Sequence, residues 1–324
     1  MSESVSNPAP QWSGSAGTPP KLPKPVHIQL PELEEDPDTA SVVQLALAAA
    51  VETFIEHDAR SGAGDVRGVH QARVGLRRFR SHLRTFRRVL DPEWASALSA
   101  EAAWHADFLG AVRDLDVLRI RLVDGALLQT PDQAPAIAGV VKVLDRERLE
   151  AVNVLEEVRR SARFEGLVAR LIEASQTVPT RESGEELADV LIPRMLQRTW
   201  RELRVASHKE RKDPTIENLH TVRIRAKRMR YACEAATPVL GPDAKRTAKA
   251  AEAVQERLGE WHDASAAKAW LETTGKKHPD LAVIALRIGE LEVVAAEQAA
   301  SSWKSEFREI KAGWKKIEPK RKKR

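Results

Sequence analysis

His70, Arg73, Arg77, Arg78 and Arg80 are spaced as His220, Arg223, Lys227, Arg228 and Arg230 are spaced further along the chain, so both segments read H-x2-R-x3-[RK]-R-x-R. The chemistry open to such a string is anion recognition. Guanidinium groups give bidentate hydrogen bonds to phosphate oxygens, and an ammonium group gives a point charge. A histidine heading each segment adds a donor that is gained as pH falls. A lone histidine is more often a core or capping residue, but its recurrence at the head of both strings favours the binding role.

These residues need a helix to act together. At about 100° per residue, Arg73, Arg77, Arg80, Arg84 and Arg88 fall within about 80° of His70, on one side. Leu76, Phe79, Leu83, Phe86 and Leu90 centre on nearly the opposite side, where a bundle core belongs. In the second segment His220, Arg223, Lys227 and Arg230 share the stripe, and Val222, Ala226, Met229, Cys233 and Ala236 form the apolar arc. Arg78 and Arg228 lie at the stripe edges. Glu234 interrupts the second stripe where Arg84 extends the first, which makes the first helix the stronger site.

Arg73 to Arg84 spans about 16 Å of helix, a length suited to an extended ligand. A row of guanidinium groups uncompensated within its own helix is costly unless anions meet it, and a polyphosphate chain supplies oxygens repeatedly. The bland alternative is a solvated face, or internal ion pairs with Asp114, Asp116 and Asp263 on the following helices. Those aspartates are expected to orient stripe arginines or cap turns rather than bind metal, and no cofactor or metal site is expected. Cys233 falls on the apolar arc and reads as packing.

Around the stripes the chain is built for helices. Of its 324 residues 42% are hydrophobic, 31% charged and only 5% aromatic, which favours an all-α class over strands. Asp38 can cap a helix to about residue 59, and Asp65 one to about Leu90; Asp91-Pro92 gives a cap followed by proline at the first helical position. Pro214, Pro238, Gly241-Pro242 and Gly275 punctuate the second half. The organisation reads as a disordered Pro/Ser-rich arm over 1–38, a first helical repeat over 39–175, a second over 185–312, and a basic tail over 313–324. Two pseudo-symmetric bundles are expected, joined near 176–185.

Net charge is only +5, so the distribution of basic residues carries more than their sum. One cysteine leaves no disulfide framework or Cys-cluster zinc site. The start lacks a signal-peptide pattern and no run reaches the roughly 18 apolar residues of a membrane span, so a cytoplasmic protein with no membrane association is expected. Oligomeric state is not legible.

The segments VHQARVGLRRFRSHLRTFRRVL and LHTVRIRAKRMRYACEAATPVLG are each followed by a Leu-Gly-x-x-[RH]-Asp segment, LGAVRDLDVL and LGEWHDASAA. Together they resemble the two signature repeats of the CHAD family, the histidine-marked α-helical domain, over about residues 39 to 312. That resemblance implies basic helices lining a shared groove or pore, binding of inorganic polyphosphate, and residence on polyphosphate granules. Residue by residue it covers His70, Arg73, Arg77, Arg78, Arg80, His220, Arg223, Lys227, Arg228 and Arg230; Arg84 and Arg88 come from helical geometry alone. The second Leu-Gly segment departs from the first, with His262 in place of Arg113 and Ala264-Ser265 after Asp263. Many relatives carry a fused triphosphate-processing enzyme with an E-x-E-x-K strand. Here the nearest string, Glu32 to Asp36, lacks the lysine, so a binding protein and not an enzyme is expected.

The rival functions are nucleic-acid binding and an interaction role at storage granules. The stripes lack aromatic residues for base stacking and no known reader pattern is present, leaving weak nucleic-acid contact through the C-terminal Lys/Arg tail as the expectation there.

Overall fold

The structure, a computed structural model, describes residues 27–124, 134–290 and 303–319. Within them the fold is all-α, and the pairing of extended backbone is confined to two isolated bridges, Asp38 with Leu187 and Leu90 with Thr180. The first half holds α1 (Thr39–Gly62), α2 (Val66–Thr85), α3 (Pro92–Asp124), α4 (Ala134–Arg159) and α5 (Ala162–Gln176). The second holds α6 (Ala188–Lys212), α7 (Ile216–Lys277), α8 (described over 282–290) and α9 (Trp303–Ile317). Gly241, at φ 63° and ψ −151°, breaks α7 into two arms. This backbone favours glycine, and Pro242 then opens the second arm at a position where proline's missing N–H costs nothing.

The caps form where the aspartates stand. Asp38 accepts from the Ser41 N–H, Asp65 from the Gly68 N–H, and Asp91 from the Trp94 N–H ahead of Pro92. Each satisfies a helix-start donor that would otherwise be orphaned.

The helix α2 stops at Thr85, five residues short of the expected end. Phe86 and Leu90 are buried as expected, and Val89 with them, but their backbone turns aside to pair with the linker after α5: Arg181 N–H donates to Val89 O at 2.7 Å and Asp91 N–H to Pro179 O at 3.0 Å. The position before Pro92 also disfavours helix. Arg88 is therefore off the helix, and the helical-wheel argument for it does not hold.

Both expected ends also shift. Ile28 is only 4% exposed and Leu33 packs against the core, so the disordered-arm reading does not extend over 27–38; residues 1–26 lie outside those described. At the other end α9 buries Trp314 and Ile317 and stacks Trp314 on Trp200 at 6.0 Å, placing Lys315 and Lys316 on a packed helix and not in a tail. Residues 320–324 are outside the described set.

One apolar core draws on both halves. Val69, Ala72, Leu76 and Phe79 of α2 and Val222, Ala226 and Met229 of α7 are all essentially inaccessible within the same cluster. A smaller cluster joins Leu118 and Leu122 of α3, Val140 and Leu144 of α4, Leu271 of α7 and Ile288 of α8. Among the described residues α1 is long and apolar enough to cross a membrane, contrary to expectation, but Val43, Leu47, Val51 and Phe54 spend its apolar face on the core. Gly75 permits the tightest crossing of α1 with α2: a Cβ there would lie 2.6 Å from the Phe54 backbone nitrogen.

Candidate functional site

The core face of α2 fixes the direction of its stripe. With Ala72, Leu76 and Phe79 inside, Arg73 and Arg77 emerge beside the first arm of α7, whose Val222, Ala226 and Met229 set Arg223 and Lys227 in the same way, while Arg80 stands near Asp107 of α3. The stripes face each other closely enough for charge to be felt across the gap. Burial, then the Arg77, Arg223 and Arg73 guanidinium groups, push the Lys227 ammonium down to about 6. Burial also lowers Arg223, with Arg77 and Arg73 adding to the effect and Asp263 opposing it. These shifts mark a cluster of partly buried cations that feel one another's charge, with Asp263 as a counterweight.

The Leu-Gly-x-x-[RH]-Asp segments turn out to serve the stripe. Leu109 and Leu258 are in the core, while Gly110 and Gly259 leave the space that stripe arginines cross: a Cβ would stand 3.4 Å from Arg73 Nη2 and 3.9 Å from Arg223 Nε, respectively. Asp114 then meets Arg73 Nη1 at 3.5 Å, a solvent-facing pair that orients the side chain and contributes little energy. Asp263 acts on Arg223 through its charge, and its own carboxyl is raised by burial despite Arg223 and Arg121. Asp116 does something else. It is buried and bonded to Arg148 Nε at 2.6 Å, and Arg148 also donates to Gly64 O, so this aspartate ties α3 to α4 and the α1–α2 turn instead of orienting the stripe.

The histidines sit in the cluster as neutral rings. Burial, with Arg113, Arg77 and Arg73 around it, holds His70 down to about 4. His220 is lowered by burial and by Arg223 and Lys227, and its ring centroid is 5.1 Å from that of His262, itself pushed to about 4 by burial and Arg223. Burial and the surrounding positive charge both disfavour the protonated rings, and a nearby anion would offset the second of these.

The remaining stripe residues divide. Arg77 Nε donates to Tyr231 Oη at 2.9 Å, and among the described residues the buried Arg80 Nε and Arg223 Nε have no hydrogen-bond acceptor. Arg78 turns to Glu234 at 3.4 Å, and Arg230 is held by Glu234 and Glu252, both at 2.7 Å. Glu234 thus neutralises parts of both stripes. Arg228 reaches Glu202 at 3.4 Å and, with Arg84 and Arg88, lines a cleft of about 720 Å³ between the end of α2, α6 and α7.

Sequence reasoning missed several of these contributors. Arg113 and His262 were visible as motif positions but not as members of the cluster, and Tyr231 carried no signal beyond its place in the second segment. On α6, Arg194, Arg198 and Arg201 stand at i, i+4 and i+7, a same-face spacing that could have been noticed without any histidine to mark it. Among the described residues no group of three or more His, Cys, Asp or Glu side chains is placed to hold a metal ion.

The CHAD domain family model matches residues 45–272. Among solved structures, the chain is similar to the CHAD domain from the plant Ricinus communis, at 22% identity and a TM-score of 0.70, over 90% of this chain and 96% of that one. It is also similar to PptA from Streptomyces chartreusis, at 21% identity and a TM-score of 0.67, over 83% of this chain and 99% of that one. No curated protein sequence matches it.

Proposed function

This chain belongs to the CHAD domain family, and from that premise we propose that it binds inorganic polyphosphate between the basic faces of α2 and the first arm of α7. The observation that carries the reading is the meeting of Arg73, Arg77, Arg223 and Lys227 between the two helices, with an ammonium group driven down to about 6 by burial and then by its cationic neighbours. Such a cluster is held at a cost in the free protein, and a polyanion is the ligand that relieves it. Extended phosphate chains fit better than a single phosphate, because the donors run along two helices and not around a point.

We read the protein as a binder rather than an enzyme. Its one thiol, Cys233, is buried and pushed far up from its ordinary range, so it is no nucleophile. We also place it in the cytoplasm on polyphosphate granules, which co-localisation of a fluorescent fusion with stained granules would check.

Competition at fixed salt tests the binding reading against the nucleic-acid alternative. Long-chain polyphosphate is expected to displace single-stranded and duplex DNA or RNA at much lower phosphate concentration. Displacement in the reverse order would favour nucleic acid as the ligand and sink the proposal.

A further inference from the structure

The cleft between the end of α2, α6 and α7 is lined by eight arginines and a single carboxylate, Glu202. Helix α6 supplies Arg194, Arg198 and Arg201 on one face, while Ile192, Leu196 and Leu203 pack its other side into the core. That packing aims the arginine face. Arg194 meets Glu186 only at 3.9 Å, and among the described residues Arg201, Arg84, Arg87 and Arg88 have no carboxylate within ion-pair distance.

The cleft continues the stripe cluster. On α2, Arg84 stands two turns, about 10 Å, beyond Arg77; on α7, Arg228 directly follows Lys227. Arg84 is close enough to Arg80 for their charges to interact and also lines the cleft, so the basic face of α2 runs from Arg73 and Arg77 to the cleft that holds the α6 arginines.

Glu202 sits at the centre of this surface. It accepts from Arg225, from Arg198 at 3.2 Å and is 3.4 Å from Arg228, one carboxylate serving three guanidinium groups. Three forks converging on one anion is the geometry that a tetrahedral phosphate, with more oxygens to offer, fills better.

Resting on the polyphosphate reading above, we propose that this cleft is a second subsite that takes the continuation of a long polyphosphate chain, and that Glu202 occupies a phosphate position until the chain displaces it. Affinity then depends on chain length in a way the α2–α7 cluster alone would not produce. Tripolyphosphate fills the cluster and stops short of α6. A long chain engages both.

The test compares tripolyphosphate with long-chain polyphosphate on the full chain, the α6 variant Arg194→Ala/Arg198→Ala/Arg201→Ala, and Glu202→Gln. The three arginines are exposed, so the fold is expected to survive, with circular dichroism as the check. The α6 variant should bind tripolyphosphate as the parent does and long chains about tenfold more weakly. Its slope of log affinity against log salt for long chains should be shallower by about 2, at about 0.7 per lost contact as for single-stranded polyanions. Glu202→Gln should bind long chains severalfold more tightly. If the parent binds polyphosphate and the α6 variant keeps parental long-chain affinity and salt slope, the subsite is overturned and the cluster reading stands. Weaker long-chain binding by Glu202→Gln would overturn the placeholder role, showing that the carboxylate positions its arginines. No polyphosphate binding by the parent would overturn both readings.

Discussion

The Nε–H of Arg77 donates to the hydroxyl of Tyr231 at 2.9 Å, tying α2 to the first arm of α7 across 154 positions of sequence. The tyrosine is 1% exposed, and the guanidinium groups of Arg78 and Arg230 lie 5.9 and 5.6 Å from its ring centroid. Tyr231→Phe keeps the ring and removes only the acceptor. A loss of about 1.5–3 kcal/mol in urea unfolding is expected, as for other hydrogen bonds to charged groups. Polyphosphate affinity should fall only a few-fold, because Arg77 keeps its charge. Loss of all binding at parental stability would mean that the hydroxyl itself contacts ligand.

The two stripes should be unequal. Arg73→Ala/Arg77→Ala/Arg80→Ala removes three phosphate contacts, each reduced by solvent screening to about 1 kcal/mol, and should weaken binding about a hundredfold while the buried face of α2 preserves helical content. Arg223→Ala/Lys227→Ala/Arg230→Ala should cost about tenfold, since Arg230 is already engaged by Glu234 and Glu252. Equal losses from the two triples, measured by direct titration, would refute the asymmetry. Parental binding by both would show that the stripes are merely solvated.

Lys227 gives the pH dependence. Its folded value of about 6 lies below the ordinary lysine value of about 10.4, so between those limits the unfolded chain binds a proton that the folded one lacks. Stability of the free protein should therefore rise with pH across that window, and Lys227→Met should remove the rise. Binding has the opposite sign. A bound polyanion restores the ammonium form, so complex formation takes up a proton and affinity falls as pH climbs above about 6. Calorimetric titration in two buffers of different ionisation heat should show uptake approaching one proton at about pH 8 in the parent and almost none in Lys227→Arg. Equal uptake by the two proteins would remove lysine from the account.

Gly75→Ala should destabilise, against the usual gain from replacing a helical glycine. The added methyl meets Phe54 N at 2.6 Å and Ala50 O at 2.9 Å, and backbone cannot step aside as a side chain tip can. A loss of about 1–3 kcal/mol is expected from forcing α1 and α2 apart. An unchanged or raised melting temperature would show that the crossing has slack.

What the sequence made legible was local. Asp38, Asp65 and Asp91 announce helix starts because a cap needs only its own next three residues. The basic and apolar arcs of α2 are legible because period 3.6 is a property of one segment. The end of α2 was not legible, since it is set by hydrogen bonds to residues about ninety positions away in the linker at 179–181. The same holds for the partners of the stripe. Nothing in the spacing of Asp116 distinguishes it from Asp114, yet one is buried against Arg148 and the other faces solvent beside Arg73. The α6 arginines escaped for a different reason: they carry no histidine marker, and only tertiary packing sets them beside Arg84 and Arg228.

The apolar cluster that runs beneath both halves has a mechanical meaning. Leu76 and Phe79 behind one basic face, and Ala226 and Met229 behind the other, belong to a single packed body. The spacing between Arg77 and Lys227 is therefore a fixed dimension, about as compliant as a close-packed interior. On the polyphosphate reading, a guest meets the two basic faces at that set spacing. A guest that had to move the two faces apart would have to surrender apolar contact between them. The distance between the charges is thereby vested in alanines, leucines and methionines that carry no charge themselves.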